Sequence, residues 1–216
     1  MVKITVDNRE IEAAEGMTLL EACLKNDIYI PNLCWMEGMK TPSASCRLCF
    51  VEIEGDRGPT PSCTVPVREG MVVRTDTPDV RELQRSGLAL LLSVHHVDCK
   101  NCHANKKCAL QHLARFLKVS LKPKHLDHFL KPVETDETHC CLVHFPNRCV
   151  LCGRCVRVCR ERNGQPLISF AKRGFDTVIS FHGIEGRSDA ECESCGACAA
   201  VCPVGALTTR AVLSGT

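Results

Sequence analysis

The chain opens on two runs in which apolar and polar residues alternate, Val2-Lys3-Ile4-Thr5-Val6 and Arg9-Glu10-Ile11-Glu12-Ala13, separated by Asp7-Asn8. A period of two marks half-buried strands and the Asx pair suits a tight turn, so the segment is predicted to be a β-hairpin. The pattern then changes period. Leu19, Leu20, Ala22 and Cys23 follow Thr18, with Glu21 three residues after it, which predicts a short helix opened by a capping box. "RLCFVEIEG" at 47–55 reads as a strand. Thr77-Pro78 is a helix-opening pair, and a helix over 78–95 is predicted to gather Val80, Leu83, Leu90, Leu91 and Val94 on one face. Residues 118–138 carry two prolines, several lysines and histidines and an acidic end; they read as a surface connection with a helical segment around 124–130. "LVHF" at 142–145 is predicted to be a strand and 166–181 a β-hairpin.

These elements are short, and composition says what must hold them. Only nine of the 216 residues are Phe, Tyr or Trp, whereas 18 are Cys. No apolar signal segment opens the chain and no greasy run is long enough to span a bilayer, so the expected compartment is the cytoplasm. Disulfides are rare there, and dense cysteines point instead to metal or redox sites. The formal charge of +2 omits the negative charge of any bound cluster and makes no case for nucleic acid.

The cysteines fall into groups. Cys34, Cys46, Cys49 and Cys63 form the first, with Ser43, Ala44 and Ser45 small enough to let backbone amides approach a metal-bound sulfur. A four-cysteine zinc loop is the competing reading. In "VHHVDCKNCHANKKC" at 94–108, Cys99, Cys102 and Cys108 supply three thiolates and leave a site one ligand short, with His95, His96 and His103 close by in sequence. The most specific signal is an internal repeat. Cys149, Cys152, Cys155 and Cys159 form CxxCxxCxxxC, and Cys192, Cys195, Cys198 and Cys202 repeat it 43 residues later. Three cysteines in seven residues wrap three corners of a [4Fe–4S] cubane, and in two-cluster ferredoxins the fourth cysteine of each run ligates the other cluster. That rule pairs Cys149, Cys152 and Cys155 with Cys202, and Cys159 with Cys192, Cys195 and Cys198. Arg160 stands where Pro usually follows the first copy, while Pro203 follows the second.

The first group and its strands resemble the β-grasp [2Fe–2S] ferredoxin fold, although eleven residues separate Cys34 from Cys46 where the plant-type spacing has four. The order of all the groups resembles the N-terminal part of the large iron–sulfur subunit of respiratory complex I and of [FeFe]-hydrogenases. In length it resembles the small diaphorase-type subunit of NAD-reducing hydrogenases and of NAD-dependent formate dehydrogenases. The resemblance implies an α+β protein in three parts: a β-grasp [2Fe–2S] ferredoxin domain at 1–76, a small helical [4Fe–4S] domain with one His and three Cys ligands plus a linker at 77–137, and a bacterial-type two-[4Fe–4S] ferredoxin domain at 138–216. It also implies that His95, four positions before Cys99, is the fourth ligand, with His96 and His103 outside the site. Histidine in place of thiolate makes a cluster less negative and raises its potential.

One [2Fe–2S] and three [4Fe–4S] clusters would use fifteen of the 18 cysteines and His95. Cys23 reads as a small buried hydrophobe, and the vicinal Cys140-Cys141 as packing residues, one facing in and one out. There is no GxGxxG and no Walker loop, and only 14 residues follow Cys202, so catalysis is expected in partner subunits. The resemblance implies a flavin/NAD(H)-binding subunit on one side and a terminal catalytic subunit on the other, with this chain passing single electrons between them. Arg148, Arg154, Arg157, Arg160 and Arg162 crowd the first cubane motif, as counter-charges, a docking face for an acidic partner or a solvated helix face.

Overall fold

The computed structural model describes residues 1–164, 167–181, 192 and 194–214. The chain divides into two compact units, one of residues 1–90 with 116–119 and one of residues 91–115 with 120–216.

In the first unit, β1 (Val2–Val6) and β2 (Arg9–Ala13) pair antiparallel with Val6 opposite Arg9. Asp7 and Asn8 both lie in the left-handed region, at φ 49° and 67°, as a type I′ turn requires. The Asp7 carboxylate then accepts hydrogen bonds from the Thr75 amide (2.8 Å) and hydroxyl (2.6 Å), pinning the hairpin to a distant strand end. β3 (Phe50–Ile53), β4 (Thr60–Pro61) and β5 (Val72–Arg74) complete a sheet of order β2-β1-β5-β3-β4, in which β1 and β5 run parallel. One face of this sheet, through Ile4, Val6, Ile11, Val51 and Val73, packs with Leu19, Leu20, Ala22 and Cys23 of α1 (Leu19–Lys25). Thr18 caps α1 by accepting the Glu21 amide at 3.3 Å. The capping box is only half built, because the Glu21 carboxylate pairs with Lys25 at 2.9 Å instead of turning back.

Helix α2 spans Pro78–Ser93, with Thr77 accepting the Val80 amide. Its buried stripe differs from the expected one: Leu83 and Leu90 are exposed, while Val80, Gln84 and Leu88 are buried at intervals of four. A polar residue hid the stripe. The Gln84 amide donates to the Phe50 carbonyl (3.0 Å) and so is satisfied where an apolar side chain was expected. Helix α3 spans Ala109–Leu117.

The second unit contains single 3-10 turns at Cys99–Asn101 and Pro146–Arg148, the helix α4 (Arg154–Asn163) and two antiparallel pairs. β6 (Leu142–His144) pairs with β9 (Leu207–Thr209), and β7 (Ile168–Ala171) with β8 (Val178–Phe181), the expected hairpin. α5 (Ala197–Ala200) and α6 (Arg210–Ser214) flank β9. No helix forms at 124–130. The Phe129 amide donates to the Ser93 carbonyl, and the buried Asn147 side chain holds both the amide and the carbonyl of Lys131 (2.7 and 3.0 Å), so the end of the segment is strapped down in irregular backbone. Among the described residues no helix is long and apolar enough to cross a membrane.

Candidate metal centres

All four cysteines of the first group are buried without a disulfide. Their thiols face one another in pairs, Cys34 with Cys46 and Cys49 with Cys63, and Cys63 also feels Cys34 and Cys46. A hydrogen bond from Cys46, with Ser45 and Ser43 adding to it, holds Cys34 well below the usual thiol range; one from Cys49 lowers Cys63 against the opposing effect of burial. Cys46 and Cys49, having given those bonds and being buried, are pushed up. Four convergent buried sulfurs, half of them biased toward thiolate, form a donor set that a cationic iron core fits. The loop that presents them is tightly wound, with Ala44 (φ 50°) and Arg47 (φ 53°) both left-handed.

Gly87 of α2 is a further part of this site. A Cβ there would lie 2.6 Å from the Arg47 carbonyl oxygen, so a glycine is what lets the helix backbone approach the loop between Cys46 and Cys49.

In the second group, Cys99, Cys102 and Cys108 lie near enough to feel one another's charge. Burial pushes the Cys108 thiol up, while its sulfur accepts the backbone amides of Leu110 and Gln111 at the start of α3. The three neighbouring histidines now differ. His96 is exposed and His103 is an exposed turn residue with its ring 6.2 Å from Phe145, whereas His95 is half-buried. Its Nδ1 lies 3.0 Å from the Arg148 carbonyl, which can only accept; Nδ1 therefore carries the proton and Nε2 keeps a free lone pair. Burial holds this imidazole neutral, with its pKa lowered to about 4. A neutral ring whose second nitrogen is held by a backbone carbonyl is the arrangement metal-ligating histidines adopt.

Gly205 opens room for this group as Gly87 does for the first. A Cβ on Gly205 would collide with Cys102 Sγ and stand 3.2 Å from Ala104 Cβ and 3.4 Å from the His103 ring.

The tandem repeat is visible in the backbone. Gly153 (φ 76°) opens α4 and Gly196 (φ 51°) opens α5, each a left-handed residue between the second and third cysteines of its copy. Cys149 has Cys152 and Cys202 as neighbours, and burial pushes its thiol up to about 12. Cys155 is pushed up likewise and adjoins Cys149, Cys152, Cys202 and Cys198. Cys198, also raised to about 12 by burial, adjoins Cys159 and Cys195. Cys192 packs in the same cluster of residues as Cys141 and Cys198. Cys202 thus stands near Cys149 and Cys155 of the first run, and Cys159 near Cys198 of the second. Thiols raised this far stay protonated at neutral pH until a cation displaces their protons, the behaviour of a metal donor set.

The arginines around α4 divide. Arg157 pairs with Glu161 at 2.8 Å, Arg148 lies 4.3 Å over the Phe145 ring, and Arg160 and Arg162 are exposed. Cys23 is fully buried in α1, its thiol pushed up to about 12 by burial, as a packing residue should be.

His144 on β6 is buried and has its pKa lowered to about 4 by burial. A base whose folded pKa lies below its unfolded value near 6.5 binds a proton more readily when unfolded, so stability is full above that pH and is lost as pH falls from 6.5 toward 4. From pH 7 to pH 5 the loss is about 2 kcal/mol for one such histidine. Anaerobic denaturant unfolding should show wild type losing that much more than His144→Leu over the interval; parallel pH profiles would exclude the effect.

The sulfur sets and the folds that carry them define an iron–sulfur protein with a β-grasp module followed by a dicluster module. Residues 1–78 match the 2Fe-2S iron-sulfur cluster binding domain and residues 148–206 the 4Fe-4S dicluster domain. A subunit of the NADH-quinone oxidoreductase of Rhizobium meliloti is 39% identical over 96% of this chain, and the HndD subunit of the NADP-reducing hydrogenase of Solidesulfovibrio fructosivorans is 35% identical over 96%. The chain spans only 24% and 36% of those two proteins. A chain of the NAD+-reducing [NiFe]-hydrogenase, solved in the H2-reduced state, superposes with a TM-score of 0.85 at 33% identity, covering 97% of this chain and 88% of that one. The chain belongs to the family of multi-cluster iron–sulfur subunits that these proteins represent.

Proposed function

We propose that the chain is an electron-transfer subunit that carries one [2Fe–2S] and three [4Fe–4S] clusters. It relays single electrons between a flavin/NAD(H)-binding subunit and a terminal catalytic subunit, such as a hydrogenase, a formate dehydrogenase or a bifurcating oxidoreductase, of a soluble cytoplasmic complex. In this reading residues 1–76, 77–137 and 138–216 are its three functional modules. The observation that carries it is the adjacency of sulfur sets: Cys155 neighbours both its own set and Cys198 of the other, as sites that exchange electrons must.

Cys34, Cys46, Cys49 and Cys63 would hold the [2Fe–2S] cluster. His95, Cys99, Cys102 and Cys108 would hold one [4Fe–4S] cluster, Cys149, Cys152, Cys155 and Cys202 a second, and Cys159, Cys192, Cys195 and Cys198 a third. Bound clusters of these types accept and release one electron at a time with little rearrangement. The chain's own residues fix and tune them. Ser43 and Ser45 polarise Cys34, the first amides of α3 donate to Cys108, and the Arg148 carbonyl orients the His95 ring. The buried, convergent thiols of the first set exclude water from it, and the arginines of α4 offset negative charge around the tandem repeat.

A relay has no hydride chemistry of its own. The chain purified anaerobically should therefore show no NADH-dependent dye reduction alone, and should be reduced by NADH only after its flavin-containing partner is added. NADH–dye turnover by the isolated chain would instead make it a stand-alone oxidoreductase.

A further inference from the structure

Beside the cysteines assigned to clusters, the second unit holds a compact trio of donors at the start of β6. Cys140 is exposed and Cys141 packs against the second unit's core, one out and one in as expected, while the bend at residues 139–141 keeps both sulfurs beside one ring nitrogen. His139 Nδ1 lies 3.4 Å from Cys140 Sγ and 3.6 Å from Cys141 Sγ, and all three donor atoms lie within 4.8 Å of one another. For Zn–S bonds of about 2.3 Å and Zn–N bonds of about 2.05 Å at a tetrahedral centre, the N···S edge is about 3.5 Å. Both N···S edges already stand at that spacing.

The nitrogen is also in the right protonation state. The Cys141 backbone amide donates to His139 Nδ1 at 3.3 Å, so Nδ1 bears the lone pair, which an ion takes over by displacing that hydrogen bond; the ring is buried and set edge-on to Phe181. The loop is held from outside by one residue. Arg210 donates from its guanidinium to the carbonyls of Glu137 (2.8 Å), His139 (3.3 Å) and Cys140 (2.9 Å), and from its amide to that of Cys141 (3.0 Å). Its Nη1 also pairs with the Glu137 carboxylate at 3.3 Å. Such bracing holds the backbone of the loop in place, so that a bound ion has to displace only the thiol protons and the Cys141 amide's hydrogen bond to Nδ1. Cys140 is exposed and Cys141 half-buried, so the fourth tetrahedral position opens to solvent.

We propose that His139, Cys140 and Cys141 form a zinc site, with two thiolates and one imidazole as protein ligands and a water or other small solvent ligand in the fourth position. Two thiolates neutralise the dication, and a mixed N/S tetrahedral set suits Zn2+ better than a hard cation. The site fastens the start of β6 to the end of β9 through Arg210, next to the Cys192 and Cys198 sulfurs. It uses none of the residues assigned to clusters.

The test uses the full chain with its clusters, incubated anaerobically with zinc sulfate and desalted, with zinc and iron measured in the same sample and zinc K-edge absorption recorded. One zinc per chain is expected, in a shell of two sulfurs and two nitrogen or oxygen atoms. Cys140→Ser, at an exposed position, should weaken zinc binding roughly a hundredfold or more with iron content unchanged. Wild type that retains no zinc, or a Cys140→Ser/Cys141→Ser double variant that retains as much as wild type, would overturn the site. An all-sulfur zinc shell accompanied by lost iron would also overturn it, because the ion would then be filling a cluster position.

Discussion

Gly205→Ala should cost the protein one cluster while leaving the others in place. Gly205 has no need of a glycine's backbone freedom, since its φ is not positive; what it supplies is space. The added methyl would occupy the volume of Cys102 Sγ, and Ala104 and His103 close the other sides, so the sulfur has to leave its position. Iron should fall by about four atoms per chain and one reduced-state EPR signal should disappear, with a stability cost of about 1–3 kcal/mol from overpacking. Gly58→Ala is the control, because a Cβ there meets nothing within 4 Å and should change neither quantity. Full iron content and unchanged spectra in Gly205→Ala would mean that Cys102 is not a ligand in the folded protein.

The second large effect concerns His95. If its Nε2 ligates the cluster of Cys99, Cys102 and Cys108, His95→Cys should keep the iron but add a negative charge to the centre. The potential of one cluster should then drop. Two histidines place Rieske centres roughly 250 mV or more above all-cysteine [2Fe–2S] ferredoxins, so a single exchange is worth on the order of 100 mV. His95→Ala removes the ligand altogether and should lose or convert that cluster alone. His96→Ala should do neither, since His96 is exposed and engages Asn147 through its backbone amide. Redox titration followed by EPR separates the three variants, and an unchanged titration in both His95 variants would remove His95 from the site.

Much of this architecture was legible in the sequence because it is local. The Asp7-Asn8 turn, the Thr18 and Thr77 caps, the 168–181 hairpin and the repeated CxxCxxCxxxC each depend on residues within a few positions of one another. What escaped depends on chain segments that meet only after folding. Gly87 and Gly205 look like ordinary helix and loop glycines until Arg47 and Cys102 are placed against them. The 124–130 segment has helix-compatible residues, yet the Ser93 carbonyl takes the Phe129 amide and Asn147 holds Lys131 just beyond it. Gln84 broke the apolar stripe of α2 because its partner, the Phe50 carbonyl, is 34 residues away. The donor trio at 139–141 is a different case. His139 is adjacent to Cys140 in the sequence, so the third donor was in plain view; what the sequence does not display is the bend that turns both sulfurs toward one ring nitrogen.

The two cluster-binding modules at 1–78 and 148–206 follow from family membership. The region between them carries the account's distinctive commitment, a third [4Fe–4S] cluster on His95, Cys99, Cys102 and Cys108. Anaerobic purification with iron and acid-labile sulfide analysis, read alongside EPR of the reduced protein, tests it directly. Four clusters correspond to about 14 iron and 14 sulfide per chain, with one [2Fe–2S] and three [4Fe–4S] signals. A reproducible value of about 10 iron, with the middle region's signal missing from fully reduced protein, would contradict the four-cluster relay.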